Sequence, residues 1–405
     1  MARLGTRPRV IALVAIAALA LPLAAIPATA GTTSGDPVKV MVIHEASAGV
    51  ANPEIPDGAI AAAEAFNKKD GIGGRPVEVL ECDTNNDVNQ AAECGREAVE
   101  EGVVALIGVL TPHSEGFMDL MAENQIASLG NVLAGISDFQ SPSSFPLNAG
   151  IIATAGNLPR FLYDDGATTI SVARPDLTEG AALKTFGDIA LEAVGTAIEN
   201  DVPVPIDAPD MSVYVEQALA GGTDGIVVAL PSQQALNFVQ AAKQSNPDVK
   251  LAIISTEPGP VQEALGADAK GIIQALSFLP PRTVKTAAGK RFLKEIKAAD
   301  IDESTGFRLN SWVAMQILKQ VADELPEVTA AGVFDALAAS GPIETGLTPP
   351  LQWTTPADLG ALAALAPRAF NTCQMHVRMT KGPKVKLVTG TFFDSFTGEE
   401  CETPS

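Results

Sequence analysis

The sequence predicts an α/β protein built as two doubly wound parallel-sheet lobes joined by a hinge, with a C-terminal β-hairpin. Three observations predict it. Short apolar runs alternate with amphipathic helical stretches from Val38 onward, which is the βαβ rhythm of a parallel sheet. The rhythm restarts after a stretch rich in Ser, Pro and Gly at residues 141–156. The tail, 368–391, alternates in two runs around Lys381-Gly382-Pro383-Lys384, which reads as a hairpin.

In the first lobe, 38–43 is an apolar run and reads as a buried strand. Pro56 and Asp57 open a helix to 69, with Ile60, Ala63 and Phe66 on one face. The glycines of Asp70-Gly71-Ile72-Gly73-Gly74 end it, because glycine accepts the left-handed geometry of a helix exit. Strand 77–80, helix 88–101, strand 103–107, a helix from about Ser114 and strand 126–129 complete a βαβαβαβ series. In the second lobe the expected order is strand 168–173, helix 179–197, a strand near 202–205, helix 211–220, strand 225–230, helix 233–244 and strand 249–254. Helices follow at 287–299, 309–325 and 333–339. Lys290, Arg291, Lys294 and Lys297 on the first of these read as a solvated face. The expected organisation is lobe one at 36–150, lobe two at 151–280, and a region at 281–405, shared between lobes, that returns in part to lobe one.

Residues 1–30 are set apart. Arg3, Arg7 and Arg9 precede the apolar run 10–21, and Ala28-Thr29-Ala30 has the small-x-small form of a cleavage site. This is the pattern of a secretory signal peptide cut near Ala30. The other 375 residues hold 24 basic and 48 acidic groups, a net charge of −24. A hydrophobic content of 46% excludes a disordered chain. The charge argues against nucleic acid, which needs a basic surface. It also favours a soluble monomer. Cys82 and Cys94 lie 12 apart, and Cys373 and Cys401 lie 28 apart. In an oxidising compartment the simplest of the three possible pairings is local, Cys82–Cys94 and Cys373–Cys401. No cysteine lies near the cut to carry a lipid anchor.

The sequence carries no HExxH, GxSxG, GxxxxGK[ST] or strand-following GxGxxG pattern. No catalytic residue, metal ligand or cofactor is therefore expected. Asp83-Thr84-Asn85-Asn86-Asp87 lacks the glycine and glutamate of a calcium loop and reads as a helix cap. The informative positions are the loops at the carboxyl ends of strands, where open parallel sheets bind ligands. In lobe one these are His44, Glu45, Ser47, Thr111, His113, Ser114 and Asn131; in lobe two they are Arg174, Thr178, Ser232 and Glu257. Ser114 is a candidate carboxylate site at a helix start, or an ordinary cap. Arg174 is a candidate anion ligand, or a partner of Asp176 or Glu179. Glu257 is a candidate partner for a ligand ammonium, or a cap of the next helix. Trp312, Phe117 and Phe238 read as core.

Segment 57–108, DGAIAAAEAFNKKDGIGGRPVEVLECDTNNDVNQAAECGREAVEEGVVALIG, resembles the opening of type I periplasmic solute-binding proteins, the branched-chain amino acid/amide group serving ABC transporters. The helix exit at 67–74 and the acidic strand end at Asp83 and Asp87 carry the likeness. It continues more loosely through GGTDGIVVALPSQQALNFVQAA at 221–242 and the stretch 341–353, where Pro349 replaces a glycine. The resemblance covers about 38–390. It implies a receptor that closes two lobes on a small polar ligand (an amino acid, amide or short carboxylate) and hands it to a permease. Glu257 matches the family's ammonium-binding acid. Pro112 stands at the family's serine, Leu177 at its lobe-two tyrosine, and Asn131-Val132-Leu133 where an alanine and threonine are usual. A ligand-sensing module for a membrane sensor, or a secreted enzyme using His44 or His113, are the alternative readings.

Overall fold

The computed structural model describes residues 33–47, 52–177, 179–254, 258–302, 306–359, 363–382 and 384–404. The expected signal peptide, Thr178 and Glu257 lie outside the described residues.

The first sheet is wholly parallel, with strand order β2-β1-β3-β4-β5. Its strands are β1 (Val38–His44), β2 (Val77–Asp83), β3 (Ala105–Ile107), β4 (Ala127–Leu129) and β5 (Ser144–Phe145). Strand β1 shows why both faces must be covered. Val38, Val40 and Val42 enter one apolar cluster, while Met41 and Ile43 enter another, the two-residue alternation of a strand. The first cluster includes helix α1 (Ile55–Asn67); the second includes α2 (Val88–Glu100) and α3 (Met118–Glu123). Asp87 caps α2 by accepting from the Asn89 and Gln90 amides.

The second sheet runs β14-β13-β11-β10-β9-β8-β6-β7, with β12 on β11. Its parallel part is β6 (Ile170–Pro175), β7 (Ile198–Val204), β8 (Gly225–Val228), β9 (Lys250–Ile253) and β10 (Ile273–Leu276). Strands β11 (Cys373–Met379), β12 (Val385–Leu387), β13 (Phe392–Asp394) and β14 (Glu400–Cys401) add antiparallel pairs. Ile226 and Val228 pack on one side with α7 (Ser212–Leu219) and α8 (Ser232–Ser245). Val227 packs on the other with α5 (Gly150–Asp164).

The chain crosses between the sheets after β5, after β10 and before β11. Helices α10 (Ala287–Ala298), α11 (Gly306–Ala322) and α12 (Ala330–Ala339) therefore follow lobe two in sequence but join the core of the first sheet. Trp312 is buried there, and its Nε1 donates to Glu295 at 2.7 Å. Phe117 and Phe238 are likewise core. Both disulfides are local, Cys82–Cys94 and Cys373–Cys401.

Several expected elements change. The 141–156 stretch holds β5 and the start of α5. Two strand residues among serines and prolines give no periodic signal. Helix 179–197 shortens to a 3-10 turn at Glu179–Ala181 and α6 (Ala182–Glu192). The strand expected near 202–205 starts earlier, as β7 at Ile198, because an edge strand tolerates the polar residues Glu199, Asn200 and Asp201. Strand β10 and helix α4 (Ile136–Gln140) are additions, while the helix expected just after Glu257 is α9 (Pro258–Leu265). The tail hairpin is β11–β12, extended by β13 and β14.

Candidate functional site

Because the first sheet is all parallel, the loops after β1, β2, β3 and β4 emerge at one edge. Three of them meet at Glu45. Its Oε1 accepts from the Thr84 and Thr111 hydroxyls, each at 2.6 Å. The glutamate is 2% exposed and both threonines are fully buried. Oε2 makes no hydrogen bond among the described residues. Thr111 Oγ1 also accepts from the His113 amide at 3.1 Å, which ties the loop after β3 to the same carboxylate.

His44 ends β1 and is buried, with Nδ1 3.2 Å from the Asn52 carbonyl and Nε2 3.8 Å from Glu81. Ser47 is committed to its neighbours, since its hydroxyl lies within hydrogen-bond reach of Asp83 and Asn85. Burial opposes the charge on Asp83, but hydrogen bonds from Ser47 and the Asn85 and Ala46 amides outweigh it and hold the carboxyl below its ordinary range. His113 Nε2 lies 3.2 Å from Asn86.

The loop after β4 forms a second buried knot. Asn131 Nδ2 donates to Asp138 Oδ1 at 3.0 Å and to Ser144 Oγ at 2.9 Å, while its Oδ1 has no partner. Asp138 Oδ2 accepts from the Gly135 amide at 2.9 Å. Desolvation raises the Asp138 pKa to about 6, against hydrogen bonds that favour the charge. Ser114 opens a 3-10 turn, Ser114–Gly116, and not an α-helix. Its buried hydroxyl favours the charged form of Asp138 without making a full hydrogen bond.

In lobe two, Arg174 has Asp201 as its charge partner. It forms a two-pronged ion pair with Asp201, Nε to Oδ1 at 2.6 Å and Nη2 to Oδ2 at 2.7 Å. Ser232 begins α8, at the carboxyl side of β8. The structure thus gathers Glu45, Thr111, His113, Ser114 and Asn131 at one edge, with His44 beneath. Thr84 and Asp138 belong to this group and are not among the residues the sequence singled out. Thr84 lies within 83–87, a stretch whose sequence reads as a helix cap. Asp138 stands three residues after Gly135, a spacing that marks a carboxylate turning back on a helix start. A separate open groove of about 350 Å³ lies beside the Cys373–Cys401 bridge. Among the described residues no three His, Cys, Asp or Glu side chains group as a metal site, and no helix is long and apolar enough to cross a membrane.

Two parallel-sheet lobes with three crossings and a polar strand-end edge define the class of two-lobed ligand-binding proteins. The chain belongs to the periplasmic binding protein family, whose sequence model matches residues 37–362. The fold is shared with a substrate-binding periplasmic protein from Ralstonia solanacearum, at 21% identity, 86% of this chain, 99% of that one and a TM-score of 0.72. It is shared with a possible leucine/isoleucine/valine-binding protein from Rhodopirellula baltica, at 13% identity, 89% and 98% coverage and a TM-score of 0.74. A leucine binding protein from Thermotoga maritima gives 15% identity, 87% and 98% coverage and a TM-score of 0.70. No curated protein sequence matches the chain.

Proposed function

We propose that the chain is an extracytoplasmic solute receptor, exported with cleavage near Ala30, that captures a small polar ligand between its lobes and delivers it to an ABC permease. The observation that carries the reading is the buried polar edge of the first sheet, where Glu45, Thr111, Ser114 and Asn131 lie at strand ends of a two-lobed fold. His44 and His113 flank that edge, and Ser232, Thr178 and Glu257 are the proposed lobe-two contributors. Arg174 and Ser47 are set aside because Asp201 and Asp83 already engage them. The family and its periplasmic relatives support the location and the binding of a small solute. The receptor is proposed to act as a monomer and to release its ligand chemically unchanged.

The test is mass spectrometry of small molecules released from purified protein, followed by thermal-shift titration with amino acids, amides and short carboxylates. A true ligand at 100 times its Kd adds about 2.7 kcal/mol of stability. A protein that releases nothing and responds to no solute is not a receptor of this kind.

A further inference from the structure

Resting on the receptor reading, we infer that lobe one receives a cationic, N–H-bearing group of the ligand (ammonium, amidinium or guanidinium) at Glu45. The carboxylate is enclosed by three loops of the sheet edge. Two hydroxyls satisfy Oε1 at 2.6 Å, and Oε2 has no donor among the described residues. An enclosed oxygen without a donor is costly, and native proteins retain one mainly where something further completes it. Asn131 Oδ1, at the same edge, is a second buried acceptor without a partner. Each of these two buried oxygens is an acceptor that a ligand N–H could complete.

Charge points the same way. Segments 44–47, 83–87, 110–116 and 130–138 contain Glu45, Asp83, Asp87, Glu115 and Asp138, and no Lys or Arg. In lobe two, Arg174 is held by Asp201. A ligand carboxylate entering lobe one would meet like charge with no fixed cation at that edge to offset it. A cationic nitrogen would instead supply the donor that Oε2 lacks, as a charge-assisted hydrogen bond. Within the class of small polar solutes, the ligand therefore carries a cationic nitrogen and presents it to lobe one.

The test is calorimetric and thermal-shift titration of the wild type and Glu45→Gln with 1,4-diaminobutane, agmatine, lysine and leucine, set against succinate and acetamide. The expected result is binding confined to probes with a cationic nitrogen, weakened at least tenfold in Glu45→Gln. Binding confined to succinate or acetamide overturns the inference and leaves the receptor reading standing. So does a cationic probe that binds both proteins equally, which would mean that only water completes Glu45. If Glu45→Gln does not fold, the charge preference of the wild type alone decides. A wild type that answers no probe, and carries no small molecule from purification, removes the receptor reading and this inference together.

Discussion

Arg174 at the end of β6 reaches diagonally to Asp201 on the neighbouring strand β7, and the guanidinium grips both carboxylate oxygens, at 2.6 and 2.7 Å. In the register Arg174 lies opposite Pro203, so Asp201, two residues back, is on the same face. The pair fixes the edge strand of lobe two. Asp201→Ala is expected to cost about 2 kcal/mol in denaturant unfolding, less than for a fully enclosed pair because Asp201 is partly exposed. Ligand affinity should stay unchanged in that variant. A loss of affinity without loss of stability would return Arg174 to the binding site.

Gly58 sits inside α1, where glycine-to-alanine normally gains about 1 kcal/mol. Here a Cβ would collide with the Arg308 carbonyl and the Ser311 side chain of α11. Asp57 and Arg308 also pair at 2.7 Å across this contact. Gly58→Ala is therefore expected to destabilise by about 2 kcal/mol, since crowding a closed helix contact forces backbone to move. Urea unfolding of the variant checks it, and a gain in stability would show that the helices can part without cost.

The fold is legible in the sequence where the signal is local. The alternation of Val38, Val40 and Val42 with Met41 and Ile43 belongs to one strand, and each cysteine pair spans a short loop. What stayed hidden depends on strand order. Arg174 had nearer acids in Asp176 and Glu179, but its partner is 27 residues away because β7 lies beside β6. Thr84 and Thr111 converge on Glu45 only because β1 lies between β2 and β3. A two-residue strand such as β5 has too little chain to show a period at all.

Cys82 at the end of β2 is tied to Cys94 in α2, and both are buried in the second cluster of lobe one. The bridge closes a loop of 12 residues beside the Glu45 edge. By loop-closure entropy, its removal should cost about 3 kcal/mol. Comparing melting of the wild type with Cys82→Ser/Cys94→Ser, with Cys373–Cys401 intact, isolates the contribution. An unchanged melting temperature would mean that the packing of α2 alone holds this edge.

Two buried groups set opposing pH dependences. Asp138 titrates near pH 6 in the folded chain, against 3.8 for the free side chain, because burial penalises its charge. Its contribution is therefore full below about pH 4 and is lost as pH rises through 6. His376 is depressed to about 4 from 6.5 by burial, where it stacks on Phe161 at 4.0 Å. Its contribution is present above about pH 6.5 and is lost as pH falls toward 4. Each amounts to about 3 kcal/mol over its window, so the two nearly cancel between pH 4 and 6.5. The wild type should show a flat stability profile there from this pair. His376→Gln should leave the Asp138 trend exposed, with stability falling as pH rises from 4 to 6. Asp138→Asn should leave the opposite slope, whatever the offset caused by its changed hydrogen bonds. Urea midpoints at half-unit pH steps measure both slopes, and parallel profiles for the two variants would show that neither group titrates as its surroundings dictate.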